Sequence, residues 1–223
     1  MRHAITLLGR IFFLESLEND DIKFEWNAKL NKNKGSYGIT DDDQMPPILV
    51  IMDSSDYHQQ QRVRDHASLL IGTLLHECCH VFFALYACQG GCNDINCRVR
   101  RHSTIGDHGH AGAWFRLAAH VEIAARKYLK WTDVRLGIFN QIIRDSETST
   151  HIPSSEDWHA LFDSFNEDEI WELLSHLTAE KWVELEQMYY HQPHVFRSLS
   201  GAWKKLREKR TKKLGKPFNV GGT

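Results

Sequence analysis

Leu70-Ile71-Gly72-Thr73-Leu74-Leu75-His76-Glu77-Cys78-Cys79-His80-Val81-Phe82-Phe83-Ala84-Leu85 is the stretch on which the reading of this chain turns. His76 and His80 are four residues apart, just over one helical turn, so both imidazoles leave the same face and can chelate one ion. Glu77, beside the first histidine, can reach a water on that ion. Zinc lowers the pKa of such a water to about 7, and a nearby carboxylate can then take its proton. With 14 histidines in 223 residues, chance supplies this five-residue pattern in roughly one chain in twenty, so the flanks must decide. They are apolar on both sides. Two histidines and a glutamate are costly to bury in such a helix without partners, which favours a metal site over two surface histidines on an ordinary helix.

Around this helix, predicted from about Gln59 to Ala87, the chain reads as α+β. Upstream, Ile22, Phe24, Trp26, Ala28 and Leu30 alternate with polar residues as in a half-buried strand. Residues 31 to 35 form a turn cluster, Ser36 to Thr40 a short strand, and Ile48 to Met52 a buried strand. Residues 41 to 47, with two prolines and three aspartates, read as loop. An amphipathic helix is expected at the N-terminus, where Arg10 and Glu15 break any signal-like apolar run. Downstream, residues 89 to 109 show no periodicity, and a second long helix runs from about His110 to Leu129, with Trp114, Leu117, Ala118, Val121 and Ala125 on one side. The expected division is a catalytic domain over residues 1–130 and a helical, tryptophan-rich extension over residues 131–223.

Composition excludes little. A hydrophobic fraction of 42%, a charged fraction of 25% and a net charge of -2 are those of an ordinary globular protein, with no global bias toward nucleic acid or membrane. No uninterrupted apolar run approaches the ~20 residues that span a bilayer. The five cysteines lie between Cys78 and Cys97, which favours reduced thiols over a disulfide framework. The expected location is therefore nuclear or cytoplasmic, without secretion and without a membrane partner. Cys88, Cys92 and Cys97, with His102, have a loose spacing for a structural zinc site, and buried or part-exposed thiols are the alternative.

Catalytic zinc usually has three protein ligands. A metzincin would place glycine and histidine where Phe83 and Tyr86 stand, and a deformylase would need a cysteine upstream, where none precedes Cys78. A thermolysin-like enzyme would need a glutamate on the next helix, and Glu122, the candidate nearby, has surroundings that do not resemble that motif. The segment Gly106-Asp107-His108-Gly109-His110-Ala111-Gly112-Ala113-Trp114-Phe115 resembles the SprT-like zinc metalloprotease family, whose pattern is HExxH, an insertion, then Gly-His-Gly-x-x-(Trp or Phe) opening a helix. The resemblance covers roughly Ile22 to Leu129 and is closest to fungal-type SprT-like domains. It implies a zincin-like minimal protease with an N-terminal helix, a three-stranded sheet, the HExxH helix and a third-ligand helix. The third ligand is then His110 or His108. Gly109-His110 keeps the spacing to Trp114 but has Ala111 in place of a glycine; His108-Gly109 keeps the His-Gly pair and loses the spacing. An aromatic one turn after His110 can pack under the helix start, which favours His110 and leaves His108 as a pocket residue.

The resemblance implies a metalloendopeptidase that uses Zn2+, with Glu77 as general base and a protein or peptide substrate extended along a sheet edge. Spartan-related members degrade proteins crosslinked to DNA. Lys204, Lys205, Arg207, Lys209, Arg210, Lys212 and Lys213 form a basic run that could contact DNA or simply be a solvated helix end. Two other functions stay open on sequence: a non-catalytic zincin-fold scaffold, and a latent protease covered by its own extension.

Overall fold

The computed structural model describes residues 2–17, 22–34, 36–41, 48–54, 63–87, 94–106, 109–138, 141, 204, 205, 208 and 212. The chain divides into two compact units, Met1–Gln141 and Ile142–Thr223. In the second, Lys204, Lys205, Glu208 and Lys212 are helical and exposed. Residues 142–203, which hold most of the expected extension, lie outside the described residues.

The first unit is α+β. Its elements run α1 (Arg2–Phe12), β1 (Ile22–Asn27), α2 (Leu30–Lys34), β2 (Gly38–Asp41), β3 (Ile48–Asp53), α3 (Val63–Tyr86), α4 (Ile95–Ile105) and α5 (Gly112–Leu129). The three strands form one mixed sheet in the order β1-β3-β2. β1 lies parallel to β3, with Ile22 opposite Ile48 and Trp26 opposite Met52. β2 lies antiparallel to β3, with Gly38 opposite Met52 and Thr40 opposite Val50. β3 is central because it is apolar from Ile48 to Met52: Ile48, Val50 and Met52 are buried, as a strand flanked on both edges requires. Among the described residues this leaves β2 as an edge strand.

Two local expectations change. The alternation predicted over residues 22–30 stops at Asn27, and Leu30–Lys34 makes a helical turn where the sequence suggests only a turn cluster. Leu30 is the reason: it is buried, and the turn rolls it inward. Ile95–Ile105 is a helix although it shows no clear apolar stripe. Ile95 and Val99 are exposed and Ile105 is buried, so this helix sends little into the core and leaves a weak imprint on the pattern.

α3 is the spine of the unit, packing on β2, β3, α1 and α5. Its stretch His66–Tyr86 is long and apolar enough to cross a membrane by length and composition, although charged and polar residues interrupt the run. Within this unit that apolarity is spent on packing: Leu74, Leu75, Cys78, Cys79, Val81 and Ala84 are buried. Neither Cys78 nor Cys79 forms a disulfide, and burial pushes both thiols above their ordinary pKa, so they behave as small apolar groups.

α5 ends at Lys130 in the left-handed conformation (φ 59°), and the Trp131 amide donates to Ala125 O at 3.1 Å. The chain thereby turns back. Val134, Leu136 and Ile138 are buried. Gly72 permits the approach, because a Cβ there would sit 2.1 Å from Arg135 O.

Candidate metal centre

His76 and His80 project from one face of α3, and His110 meets them from the turn before α5. The three Nε2 atoms form a nearly equilateral triangle: His76 to His80 3.2 Å, His80 to His110 3.0 Å, His76 to His110 3.1 Å. Among the described residues this is the group of histidine, cysteine and acidic side chains whose ligand atoms converge.

The tautomer of His76 is set by its other nitrogen. Nδ1 lies 2.7 Å from Leu136 O. A carbonyl only accepts, so Nδ1 carries the proton and Nε2 presents a lone pair to the triangle. Three mutually close nitrogens cannot satisfy one another. Each N–H can serve one neighbour well, so at least one edge sets two lone pairs or two N–H groups against each other. A cation resolves this. A tetrahedral ion about 2.05 Å from each nitrogen would separate them by about 3.3 Å, within a few tenths of an ångström of what is found. The residues therefore fit a metal ion bound by three neutral imidazoles.

Burial favours the neutral forms of His76 and His80. It lowers the pKa of His76 to about 4, against the raising effect of its bond to Leu136 O. It takes His80 well below the ordinary value, and the neighbouring His110 and His76 add to the effect. Trp114, fully buried, forms the floor. Its ring centroid is 4.6 Å from those of His76 and His110 and 5.5 Å from that of His80, which it meets nearly parallel.

Gly109 delivers His110. Its φ of +73° is left-handed, which favours glycine, and a Cβ there would press to 3.3 Å of the His80 ring. Ala111 is buried, where the sequence pattern invites a glycine. Its methyl is accommodated by Gly106, whose own Cβ would lie 2.9 Å from it, and the Ala111 amide donates to Ile105 O at 2.9 Å. His108 lies outside the described residues, as do Cys88, Cys92 and the side chain of His102. Cys97 is partly buried on α4 and belongs to no converging ligand group among the described residues.

The Glu77 carboxylate, one residue after His76, lies against the β2 edge of the sheet. Its Oε2 accepts from Thr40 Oγ1 at 2.7 Å, and the residue is almost wholly buried. Burial raises its pKa to about 8, against the lowering effect of the Thr40 bond. Space for it is made by Gly38 on β2, where a Cβ would lie 2.6 Å from Glu77 Oε1 and 2.9 Å from Thr73 Cγ2. A Gly38→Ala substitution is expected to displace the carboxylate. The clash should then lower stability by about 1–3 kcal/mol, as overpacking typically does, which urea midpoints would reveal.

These shifts set the pH dependence of the metal-free protein. Between 4.5 and about 8 the folded state holds the Glu77 proton more tightly than the unfolded state, so stability falls as pH rises through that window. Between about 4 and 6.5 the unfolded state protonates His76 more readily, so stability falls as pH drops, and His80 acts in the same direction. Urea midpoints of chelated protein should therefore peak near pH 6.5. Replacing Glu77 by Gln should flatten the alkaline arm and steepen the acid arm, because between 4.5 and 6.5 the Glu77 carboxyl opposes the histidines. An unchanged alkaline arm in that variant would remove Glu77 as its cause.

Glu122, the alternative acidic ligand on the next helix, is buried and turned away from the triangle. It binds Arg126, Arg135 Nη1 at 3.0 Å and the Leu136 amide at 3.1 Å. Sequence reasoning assigned nothing to Thr40 or Leu136. The first is one hydroxyl on a short strand and the second acts through its backbone, so neither leaves a signal in the pattern. In the basic run, Lys204, Lys205 and Lys212 are exposed; Arg207, Lys209, Arg210 and Lys213 lie outside the described residues. Comparison with protein-family models, with curated proteins and with solved structures returns no match to this chain.

Proposed function

We propose that this chain is a zinc-dependent metalloendopeptidase with a zincin-like, SprT-like catalytic unit. The observation that carries the reading is the triangle of His76, His80 and His110 with Glu77 on the same helix. Three imidazoles and no thiolate are a donor set of catalytic rather than structural zinc, leaving a fourth position for water or substrate. Bound there, zinc supplies a Lewis acid that polarises the scissile carbonyl and acidifies water.

The chain's own groups do the rest. Thr40 Oγ1–H holds Glu77 Oε2 and leaves Oε1 to take a proton from the attacking water and pass it to the leaving amine. A divalent cation nearby favours the ionised carboxylate and offsets the burial that otherwise keeps Glu77 protonated. Trp114 beneath the imidazoles excludes water from one side and fixes their planes. The edge strand β2 carries Thr40 beside Glu77, and a peptide pairing with that edge would run past the carboxylate.

For substrate, the exposed Lys204, Lys205 and Lys212 support proteins held on DNA as the class to test first. The deciding experiment incubates the full chain with an unfolded protein and with a protein crosslinked to DNA. Cleavage should stop on chelation and return with Zn2+. A zinc-loaded chain that cleaves neither substrate, with or without DNA, overturns the reading in favour of a scaffold.

A further inference from the structure

We propose that Glu122 is a positioning residue of the metal centre, fixing through Leu136 the His76 tautomer that leaves Nε2 bare. The inference rests on the reading of the three histidines as a zinc site. Its first readout, however, needs no metal.

Glu122 is fully buried on α5. A buried carboxylate is tolerated only when paired, and Arg126 and Arg135 supply the charge. Its second oxygen is used differently: Oε2 accepts the Leu136 amide at 3.1 Å. Leu136 thus binds Glu122 through its N–H while its carbonyl, whose carbon is two bonds further along the chain, accepts from His76 Nδ1 at 2.7 Å. Arg135, the residue before, binds the same carboxylate at 3.0 Å. Gly137, the residue after, has a φ of +71°, the left-handed turn that glycine adopts without strain. The segment carries no regular secondary structure from Val134 to Gly137. Without Glu122 it lacks the ladder that would hold a carbonyl in place.

The consequence for His76 is chemical. A neutral imidazole can carry its proton on either nitrogen. Only the Nδ1–H form offers Nε2 to an ion shared with His80 and His110. Partners that orient a ligating histidine are typically worth tenfold to a hundredfold in metal affinity. A purely structural Glu122 would lower stability and leave the His76 tautomer alone.

The test uses the full chain with two variants and two measurements. Nitrogen-15 NMR of the metal-free protein reads the His76 tautomer, and competition against a chelator reads Zn2+ affinity. Glu122→Gln keeps a carbonyl oxygen for the Leu136 amide; it should retain the Nδ1–H form and bind zinc with wild-type affinity. Glu122→Met keeps no acceptor; it should mix the tautomers and bind zinc about tenfold or more weakly. If the Met variant does not fold, Arg135→Met replaces it. That side chain is 45% exposed, so the fold should survive while the segment loses one tie, with a loss of about threefold. Wild-type affinity with an unmixed Nδ1–H tautomer in the folded Met variant, or in Arg135→Met where it stands in, overturns the proposal. A wild-type chain that binds no zinc sinks the zinc reading instead, and the tautomer measurement still judges Glu122.

Discussion

Under the proposed zinc-peptidase function, Glu77→Gln protein is expected to retain bound zinc and to lose peptide hydrolysis by about a thousandfold, in the range by which removing a general base slows such reactions. Glutamine has the same shape, and its amide oxygen can still accept from Thr40 Oγ1, now 2.7 Å from Oε2. The packing between α3 and Gly38 on β2 is therefore kept. What is lost is the ability to take a proton. The three imidazoles do not depend on Glu77 for their geometry: His76 is oriented by Leu136 O, and all three rings rest on Trp114. Metal analysis should give wild-type content, while initial rates on an unfolded protein fall toward background. Cleavage at the wild-type rate would show that the proton is moved by some other group, and the proposed mechanism would be wrong.

Sequence and structure meet most closely where chemistry and periodicity coincide. His76, Glu77 and His80 were legible because four-residue spacing on an apolar helix is a local property that needs no knowledge of the rest of the fold. His110 was legible for the same kind of reason. A glycine before it and an aromatic one turn after it are neighbours in sequence, and the structure places Trp114 against all three imidazoles. The central strand Ile48–Asp53 was legible as an apolar run.

The remainder was not, and the cause differs from place to place. α4 sends almost nothing into the core, so its helix leaves no stripe to read. Leu30 signals an apolar position but not whether a strand or a helical turn buries it. Leu136 contributes a carbonyl, which every residue has. Glu122 and Arg135 are far apart in sequence, and only the reversal after α5 brings them together. One signal was present and unused: a lone glycine, Gly72, inside an otherwise apolar helix. Such a glycine costs about 1 kcal/mol of helix stability relative to alanine and usually marks a close approach.

That glycine gives the second large prediction. In an ordinary exposed helix, Gly72→Ala would be stabilising by up to about 1 kcal/mol. Here the sign should reverse. The added Cβ would lie 2.1 Å from Arg135 O and 3.0 Å from Arg135 C, and both are backbone atoms that cannot swing aside. Either α3 or the segment from Val134 to Ile138 must move. The segment is the softer of the two, since it carries no regular secondary structure up to Gly137. Overpacking a filled core typically costs 1–3 kcal/mol and sometimes more, so a net loss of about 2 kcal/mol is expected even after the helix gain. The displacement also bears on the site, because the moved segment carries the carbonyl that orients His76 and the amide that binds Glu122. Gly72→Ala should thus lower the urea midpoint and weaken zinc binding together, although it touches no ligand. Each effect alone would mean something different. Lower stability with intact affinity would place the strain in the core and leave the metal centre independent of the returning segment. A midpoint at or above wild type would show that the close approach of Arg135 to α3 is not a feature of the folded protein, and the route from Glu122 to His76 would lose its physical basis.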